Sequence, residues 1–204
     1  MTPTSLRSCK PKGTNPDMDS LTTSEERTFT VEEYYKLAES GILRPWERVE
    51  LIDGHILHMA PISEPHATIV DTLTHLFVSQ SRNRFLVRVQ GPIRLDGPRG
   101  KNEPQPDITL FNRNAAGHHP TPTDIYLVIE VMHSSAHRDL AEKTELYAEY
   151  NIPEYWIVDV EKRGVLTHQH RTGFVTTVHS AGSISPDNFP DIEIRIADLF
   201  AHTG

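Results

Sequence analysis

The sequence has 204 residues, 37% of them apolar and 24% charged, so it can fold as one domain around a substantial core. Its formal net charge of −8 argues against sequence-blind binding to nucleic acid through a broadly basic surface, although one local basic patch is compatible with it. A single cysteine, Cys9, excludes a disulfide framework within one chain, and no apolar run is long enough to cross a membrane. We therefore expect a cytoplasmic protein.

Residues 1–28 differ in composition from the rest of the chain, because Ser, Thr, Pro and Lys outnumber the large apolar side chains there. They also lack the apolar core of a secretory signal. We expect residues 1–28 to form a mostly disordered tail and residues 29–204 to form a single domain. Cys9 lies in that tail, so a catalytic thiol is not expected.

The domain is predicted to begin with a helix and a β-hairpin. Thr30 followed by Glu33 has the pattern of a capping box, and apolar residues at helical spacing follow it. In "RVELIDGHILHMA", two apolar runs flank Asp53 and Gly54, which together give the strongest short signal for a hairpin. Glu50 lies on the first arm of this hairpin.

A second helix and two strands are predicted next. "HATIVDTLTHLFVSQ" places Ile69, Leu73 and Phe77 on one stripe, as a helix does. "RFLVRVQGPIRL" indicates a strand pair, or one strand with a bend at Gly91. "PDITLF" is a short strand opened by Pro106, since proline cannot donate a hydrogen bond within a sheet.

An acidic residue interrupts the strongly apolar strand "YLVIEVM". Val128 and Glu130 face one way, Leu127 and Ile129 face the other, and both faces are apolar enough to be covered. An unpaired buried charge is costly. Glu130 therefore forms a salt bridge, reaches solvent at the strand end, or holds a cation.

The helix after this strand carries a lysine on its inward face. In "RDLAEKTELYAEYNIP", Asp139 is the expected cap, and Leu140, Lys143 and Tyr147 share the side opposite to the glutamates. Lys143 follows Glu130 by 13 residues. A helix packed back on the strand would bring these two side chains together.

Asp107, Glu130 and Lys143 together have a clear chemical use. Asp107 begins its strand, where a carboxylate can reach solvent and ligand together. Two carboxylates can hold Mg²⁺ or Mn²⁺, which prefer oxygen ligands. Such a metal polarises a scissile phosphate and lowers the pKa of a bound water, while a nearby lysine orients that water.

The segments, taken in order, resemble a known nuclease family. "VELIDGHI", "EPHATIV", "PDITL", "DLAEK" and "YAEYNIPEYWIVD" are similar to the Uma family of the PD-(D/E)XK nuclease superfamily, over roughly Phe29 to Phe200. The resemblance implies a restriction endonuclease-like core. This is an α/β (α+β) fold with a central mixed sheet flanked by helices, to which the amino-terminal helix and hairpin are added. It also implies metal-dependent cleavage of phosphodiester bonds.

The resemblance also implies a role for each candidate residue. Asp107 matches the aspartate of the motif and Glu130 its second acidic position. The lysine of the motif would stand at Met132, and Lys143 of the next helix matches the place that this family uses instead. Glu50 matches an amino-terminal acidic residue that some members use as an extra metal ligand. Asp107, Glu130 and Glu50 would thus bind Mg²⁺ or Mn²⁺, and Lys143 would position the nucleophilic water.

Simpler interpretations remain open for these residues. Glu130 and Lys143 can form a structural salt bridge, and Glu50 can pair with Arg48 or Arg44 on the hairpin.

The histidines leave two further questions. His133 and His137 are four residues apart and offer a zinc site as an alternative, but the sequence contains neither HExxH nor CxxC. His66 matches a histidine of the family, and it either lines the cleft or only begins a helix.

Charge placement favours a nucleic-acid partner. Between Pro61 and Gln105 there are six Lys or Arg against four Asp or Glu, a local basic patch in an acidic chain. The residues expected to contact phosphates are Arg82, Arg84, Arg88, Arg94, Arg99 and Lys101.

We therefore expect a Mg²⁺-dependent endonuclease that acts on DNA. A homodimer is expected by analogy, because a duplex has two strands to cut. Two alternatives remain. One is a catalytically inactive nucleic-acid-binding or regulatory module on the same fold. The other is a protein-interaction domain in which Glu130 and Lys143 form only a salt bridge.

Overall fold

The computed structural model describes residues 26–97, 99–133, 137–169 and 175–203. Most of the predicted tail, with Cys9, lies outside the described residues, so the division into a tail and a single domain stays a prediction. Within the described ranges, no helix is long and apolar enough to cross a membrane.

The described part of the chain contains four α-helices and ten strands. In chain order these are α1 (Val31–Glu39), β1 (Val49–Ile52), β2 (His55–His58), α2 (Glu64–Gln80), β3 (Leu86–Val89), β4 (Ile108–Phe111), β5 (Ile125–Met132), α3 (His137–Glu149), β6 (Glu154–Asp159), β7 (Gly164–Gln169), β8 (Val175–His179), β9 (Ser183–Ile184), β10 (Ile194–Arg195) and α4 (Ile196–Leu199).

A six-stranded mixed sheet, ordered β3-β4-β5-β6-β7-β8, forms the centre of the fold. β5 and β6 are parallel, and the other neighbouring strands are antiparallel. α2 packs on one face through Ile69, Leu73 and Phe77, the stripe that the sequence predicts. α3 packs on the other face through Leu146 and Tyr147. The mixed sheet with helices on both faces confirms the predicted fold class.

The amino-terminal helix and hairpin also form as the sequence predicts. The Thr30 hydroxyl accepts a hydrogen bond from the Glu33 N–H at 3.2 Å, and the Glu33 carboxylate accepts one from the Thr30 N–H at 3.0 Å. Asp53 and Gly54 have φ angles of 48° and 79°, the left-handed pair that a tight hairpin turn requires. A bridge from Leu51 joins the hairpin to the segment that leads into β4.

Two boundaries differ from the prediction. α3 begins at His137, so Asp139 lies inside the helix and is not its cap. β3 ends at Val89, and Gln90 has a φ of 48°, so the "GPIRL" segment turns out of the sheet and forms no second strand of a pair. Ile93 of that segment is buried in the apolar cluster that includes α3.

Glu154 opens β6 as a buried carboxylate. Its oxygens accept hydrogen bonds from the indole N–H of Trp156 at 2.7 Å and from the backbone N–H of Asp187 at 2.8 Å. Burial raises the pKa of Glu154 to about 7, although both hydrogen bonds oppose that shift. The fold therefore favours the protonated form of this side chain over the ionised form.

We expect Glu154→Gln to change how stability depends on pH. Because the pKa rises on folding, Glu154 contributes stability at low pH that is lost as the pH rises through about 7. Glutamine does not ionise, so the stability difference should shift in favour of the variant by up to about 3 kcal/mol between about pH 5 and pH 8.5. Urea unfolding at both pH values measures this shift. Glutamine also loses one hydrogen bond, but that loss in the variant is the same at both pH values and cancels when the two stability differences are subtracted. A difference that does not change with pH would contradict the raised pKa.

Candidate active site

A cleft of about 360 Å³ opens between the β1–β2 hairpin, the start of α2, the carboxyl end of β5 and α3. All four residues that the sequence predicts for the site line this cleft: Glu50, Asp107, Glu130 and Lys143. Glu50 lies on β1 and Glu130 on β5, Asp107 directly precedes β4, and Lys143 lies on α3. The tertiary fold therefore brings them together.

Strand pairing places Asp107 beside Glu130. Ile108 and Ile129 are partners in the antiparallel β4–β5 ladder, so the residue before β4 lies next to Glu130. The Asp107 carboxylate also accepts a hydrogen bond from the backbone N–H of Val131 at 2.9 Å. Both carboxylates are 6% exposed, so each depends on nearby donors or charges.

Asp107 has three hydrogen-bond donors around it. Its Oδ2 accepts from His66 Nε2 at 3.0 Å and from the Val131 N–H, and its Oδ1 accepts from Gln90 Nε2 at 3.3 Å. Burial alone would raise the pKa of Asp107, but His66 and the Val131 N–H more than offset it, so the pKa is lowered. Asp107 is therefore an anion at neutral pH, with Oδ2 the more firmly held oxygen.

Lys143 lies between the other two carboxylates. Its Nζ is 2.9 Å from Glu50 Oε2 and 3.1 Å from Glu130 Oε1. Tyr147, one turn further along α3, donates its hydroxyl to the same oxygen of Glu130 at 2.9 Å. The backbone N–H of Gln105 donates to Glu50 Oε2 at 3.0 Å. The ammonium of Lys143 thus joins β1, β5 and α3.

Burial and neighbouring charges shift the pKa values of this group. Burial raises the pKa of Glu130 to about 7, and Asp107 and Glu50 add to the rise while Lys143 opposes it. Burial alone would lower the pKa of Lys143, but Glu130 and Glu50 more than offset it, so the pKa is raised. Lys143 is therefore protonated at neutral pH. It can donate hydrogen bonds and stabilise negative charge, but it cannot accept a proton as a general base.

The geometry of β5 brings Lys143 of α3 to the same face of the strand as Glu130 and Met132. Val128, Glu130 and Met132 alternate along the strand and share the face that α3 covers. Met132 is buried in the apolar cluster of that face, and Lys143 approaches Glu130 from the covering helix. The buried position of Lys143 is the one that the helical pattern predicts.

The three carboxylates are oxygen donors of the kind that Mg²⁺ and Mn²⁺ prefer. Among the described residues, Oε1 of Glu50 and Oε2 of Glu130 accept no hydrogen bond, because the donors reach the other oxygen of each group. As the described side chains lie, no three or more of His, Cys, Asp and Glu are spaced to hold a metal ion. Lys143 instead pairs with two of the carboxylates. The chemical type of these ligands therefore fits an oxygen-preferring cation, while their spacing among the described residues is that of an ion-pair network with Lys143.

The zinc alternative receives no support from the described residues. His133 Nδ1 is hydrogen-bonded to the Ser63 hydroxyl at 2.9 Å, so one of its ring nitrogens already has a partner. The side chain of His137 lies outside the described part of the structure.

Two residues to which the sequence patterns give no polar role donate hydrogen bonds to cleft-lining carboxylates. Gln105 holds Glu50, and its side chain donates to the Val49 carbonyl at 2.8 Å. Tyr147 is buried in the core, as expected, but it is also a polar partner of Glu130. No local pattern singles out Gln105, because it lies in the irregular segment before β4.

The arginines of the hairpin do not pair with Glu50. Arg48 donates to the Ala60 carbonyl at 3.2 Å, and the guanidinium of Arg44 lies 5.6 Å from the centre of the Trp46 ring. Arg48 also lines the cleft.

Three arginines of the predicted basic patch make contacts within the fold. Arg84 pairs with Asp191 at 2.6 Å, and Arg94 pairs with Glu103 at 2.9 Å. Arg88 donates to backbone carbonyls of two loops. None of these three arginines lines the cleft. These three guanidiniums thus make contacts within the fold, and a phosphate-binding surface formed by the patch stays a prediction.

Comparisons with known proteins give one family and one fold. The family model Uma2, described as "Putative restriction endonuclease", matches residues 31–197. No curated protein matches the chain. Among solved structures, the chain is similar to a crystal structure described as a "putative nuclease belonging to DUF820 from Anabaena variabilis ATCC 29413". The TM-score is 0.69 at 14% identity, and the match covers 86% of this chain and 99% of that one. At this identity the likeness shows the fold alone.

We expect Lys143→Met to destabilise the fold. The variant keeps most of the side-chain length but leaves Glu50 and Glu130 buried without their counter-ion, which should lower the free energy of unfolding by about 3 kcal/mol. Adding Glu130→Leu removes one of the two charges and should recover part of that loss. Urea denaturation near neutral pH measures both variants. Equal stability of Lys143→Met and the wild type would show that the ammonium does not hold these elements together.

Proposed function

The chain belongs to the Uma2 family, and on that premise we propose that it is a metal-dependent endonuclease that hydrolyses phosphodiester bonds of DNA. The family and the nuclease-like fold support a nuclease-like function, and the metal and the DNA substrate are the further steps of the proposal. One observation carries it, the meeting of three carboxylates and one ammonium in a single cleft: Glu50, Asp107, Glu130 and Lys143.

Asp107, Glu130 and Glu50 would hold the metal. When bound, Mg²⁺ or Mn²⁺ would polarise the scissile phosphate and lower the pKa of a water molecule. His66 and the Val131 N–H hold one oxygen of Asp107, which fixes the orientation of the carboxylate.

Lys143 would position the attacking water and stabilise the charge that develops on the phosphate. Its ammonium has three donors, and Glu50 and Glu130 accept two of them. The third donor is available to a water or to a phosphate oxygen in the cleft. Because the two carboxylates fix the ammonium in place, little reorganisation is needed during the reaction.

A second candidate function is a catalytically inactive nucleic-acid-binding or regulatory module on the same fold. The observation that favours it is the pairing of Lys143 with both Glu50 and Glu130, since this network balances much of its own charge without a metal. Such a module would bind nucleic acid and leave it intact.

We expect the purified protein to cleave supercoiled plasmid or oligonucleotide DNA with Mg²⁺ or Mn²⁺ and to leave it intact with EDTA. Asp107→Ala should lower the rate by at least about a hundredfold, because it removes an anion that supports the metal and the transition state. Glu145→Ala, on the exposed face of α3, is the matched control and should keep full activity. Thermal unfolding checks that both variants are folded.

The pattern of results separates the candidates. Cleavage that persists in the Asp107→Ala variant would come from another source and would argue against this site. Binding of DNA without cleavage in either metal would favour the inactive module.

We expect His66 to be a positioning residue for Asp107. His66→Phe removes the N–H donated to Oδ2, and the affinity for Mn²⁺ should fall by about tenfold or more. His66→Gln can still donate from its amide and should keep more of the affinity. Titration with Mn²⁺ followed by electron paramagnetic resonance measures binding without relying on activity. Equal affinities in the wild type and both variants would mean that His66 only begins α2.

A further inference from the structure

Arg48 is a cleft-lining cation without an acidic partner. Its guanidinium donates to the Ala60 carbonyl at 3.2 Å, and no carboxylate of the described residues lies within ion-pair distance of it. Lys143, the other cleft-lining residue with a permanent positive charge, is paired twice. A guanidinium has five donors in a planar fork that matches phosphate oxygens. Arg48 therefore has donors free for an anionic ligand.

Strand geometry places this free cation next to the acidic site. The backbone of Arg48 continues the β1–β2 ladder, since the Met59 N–H donates to its carbonyl at 2.9 Å. Arg48 and Glu50 are two residues apart, so their side chains leave the strand on the same face, separated by roughly 7 Å along it. That separation is of the order of the distance between successive phosphates in a nucleic acid strand. A substrate with one phosphate at the carboxylates would thus place a neighbouring phosphate near Arg48.

Three apolar side chains also line this part of the cleft, together with His58 and Ser63. Leu57 is the ladder partner of Glu50, and Met59 follows it on the same face of the hairpin. Ile62 lies in the segment that leads to α2, and all three residues line the cleft. Leu57 is 38% exposed and Ile62 is 42% exposed. Apolar side chains of this kind suit the flat face of a nucleobase that has left its stack.

We propose that the cleft holds an unpaired nucleotide, with its phosphate on Arg48 and its base against Leu57, Met59 and Ile62. The substrate is then single-stranded or locally unpaired nucleic acid, because bases inside a duplex have both faces stacked. The cavity of about 360 Å³ lies within the range of sites that enclose one small ligand. This inference rests on the proposed nuclease function and specifies the substrate of the same site.

The test compares binding of a fluorescein-labelled single strand with binding of the duplex of the same sequence, by anisotropy with Ca²⁺ in place of Mg²⁺. The single strand should bind at least about tenfold more tightly. Arg48→Met should weaken that binding by about tenfold and reduce the slope of log affinity against log salt by about one. Arg48→Lys should restore part of both, and Arg44→Met, which changes an exposed arginine outside the cleft in the segment before the hairpin, should leave both unchanged.

A second arm isolates the contact with the base. Leu57→Ser should weaken binding of the normal single strand several-fold, because a polar side chain packs poorly against a base face. The same variant should bind an oligomer of abasic units as well as the wild type does. Loss of affinity for both probes would show that Leu57 supports the hairpin and does not contact a base.

The outcomes separate this inference from the function on which it rests. Metal-dependent cleavage with equal or tighter binding of the duplex, or with no effect of Arg48→Met, would overturn the unpaired-nucleotide site and leave the nuclease standing. Neither binding nor cleavage of any probe would overturn both.

Discussion

The structure around the cleft depends on the burial of one ammonium between two carboxylates. Lys143 comes from α3, Glu130 from the central strand β5 and Glu50 from the hairpin, so a single charged group joins three elements that are far apart in the sequence. Charges out of water are tolerated only when each has close partners of opposite sign or good hydrogen bonds. The packing of α3 on the sheet and the docking of the hairpin must therefore be correct together. The packing that positions these elements therefore also brings the three charged groups of the cleft together.

The three acids of the cleft differ in how the protein holds them. Asp107 depends on hydrogen-bond donors, chiefly His66 and the Val131 N–H, and its pKa is lowered. Glu130 depends on Lys143, and burial still raises its pKa to about 7. Asp107 is thus held independently of the Lys143 ion pairs, by donors from α2 and from the β5 backbone.

Local patterns in the sequence predict much of this arrangement. The Thr30 cap, the turn at Asp53 and the inward face of Lys143 each depend on residues within a few positions of one another, where spacing determines geometry. The contact of Gln105 with Glu50 crosses 55 positions and comes from a segment without regular periodicity, so no spacing rule indicates it.

The charges of the basic patch also show that local sequence patterns do not reveal long-range contacts. The pairing of Arg84 with Asp191 crosses 107 positions, and a count of local charge cannot include a partner so distant. Charge counts along the chain therefore overestimate the cations available to a ligand. Arg48 falls outside the counted segment, yet it is the arginine that lines the cleft.

Because Arg48 and Glu50 share one face of one short strand, any shift of the hairpin would move a candidate metal ligand and a candidate phosphate contact together. In the proposed enzyme, substrate binding and chemistry would be coupled through the position of β1, to which Lys143 is joined by its ion pair with Glu50.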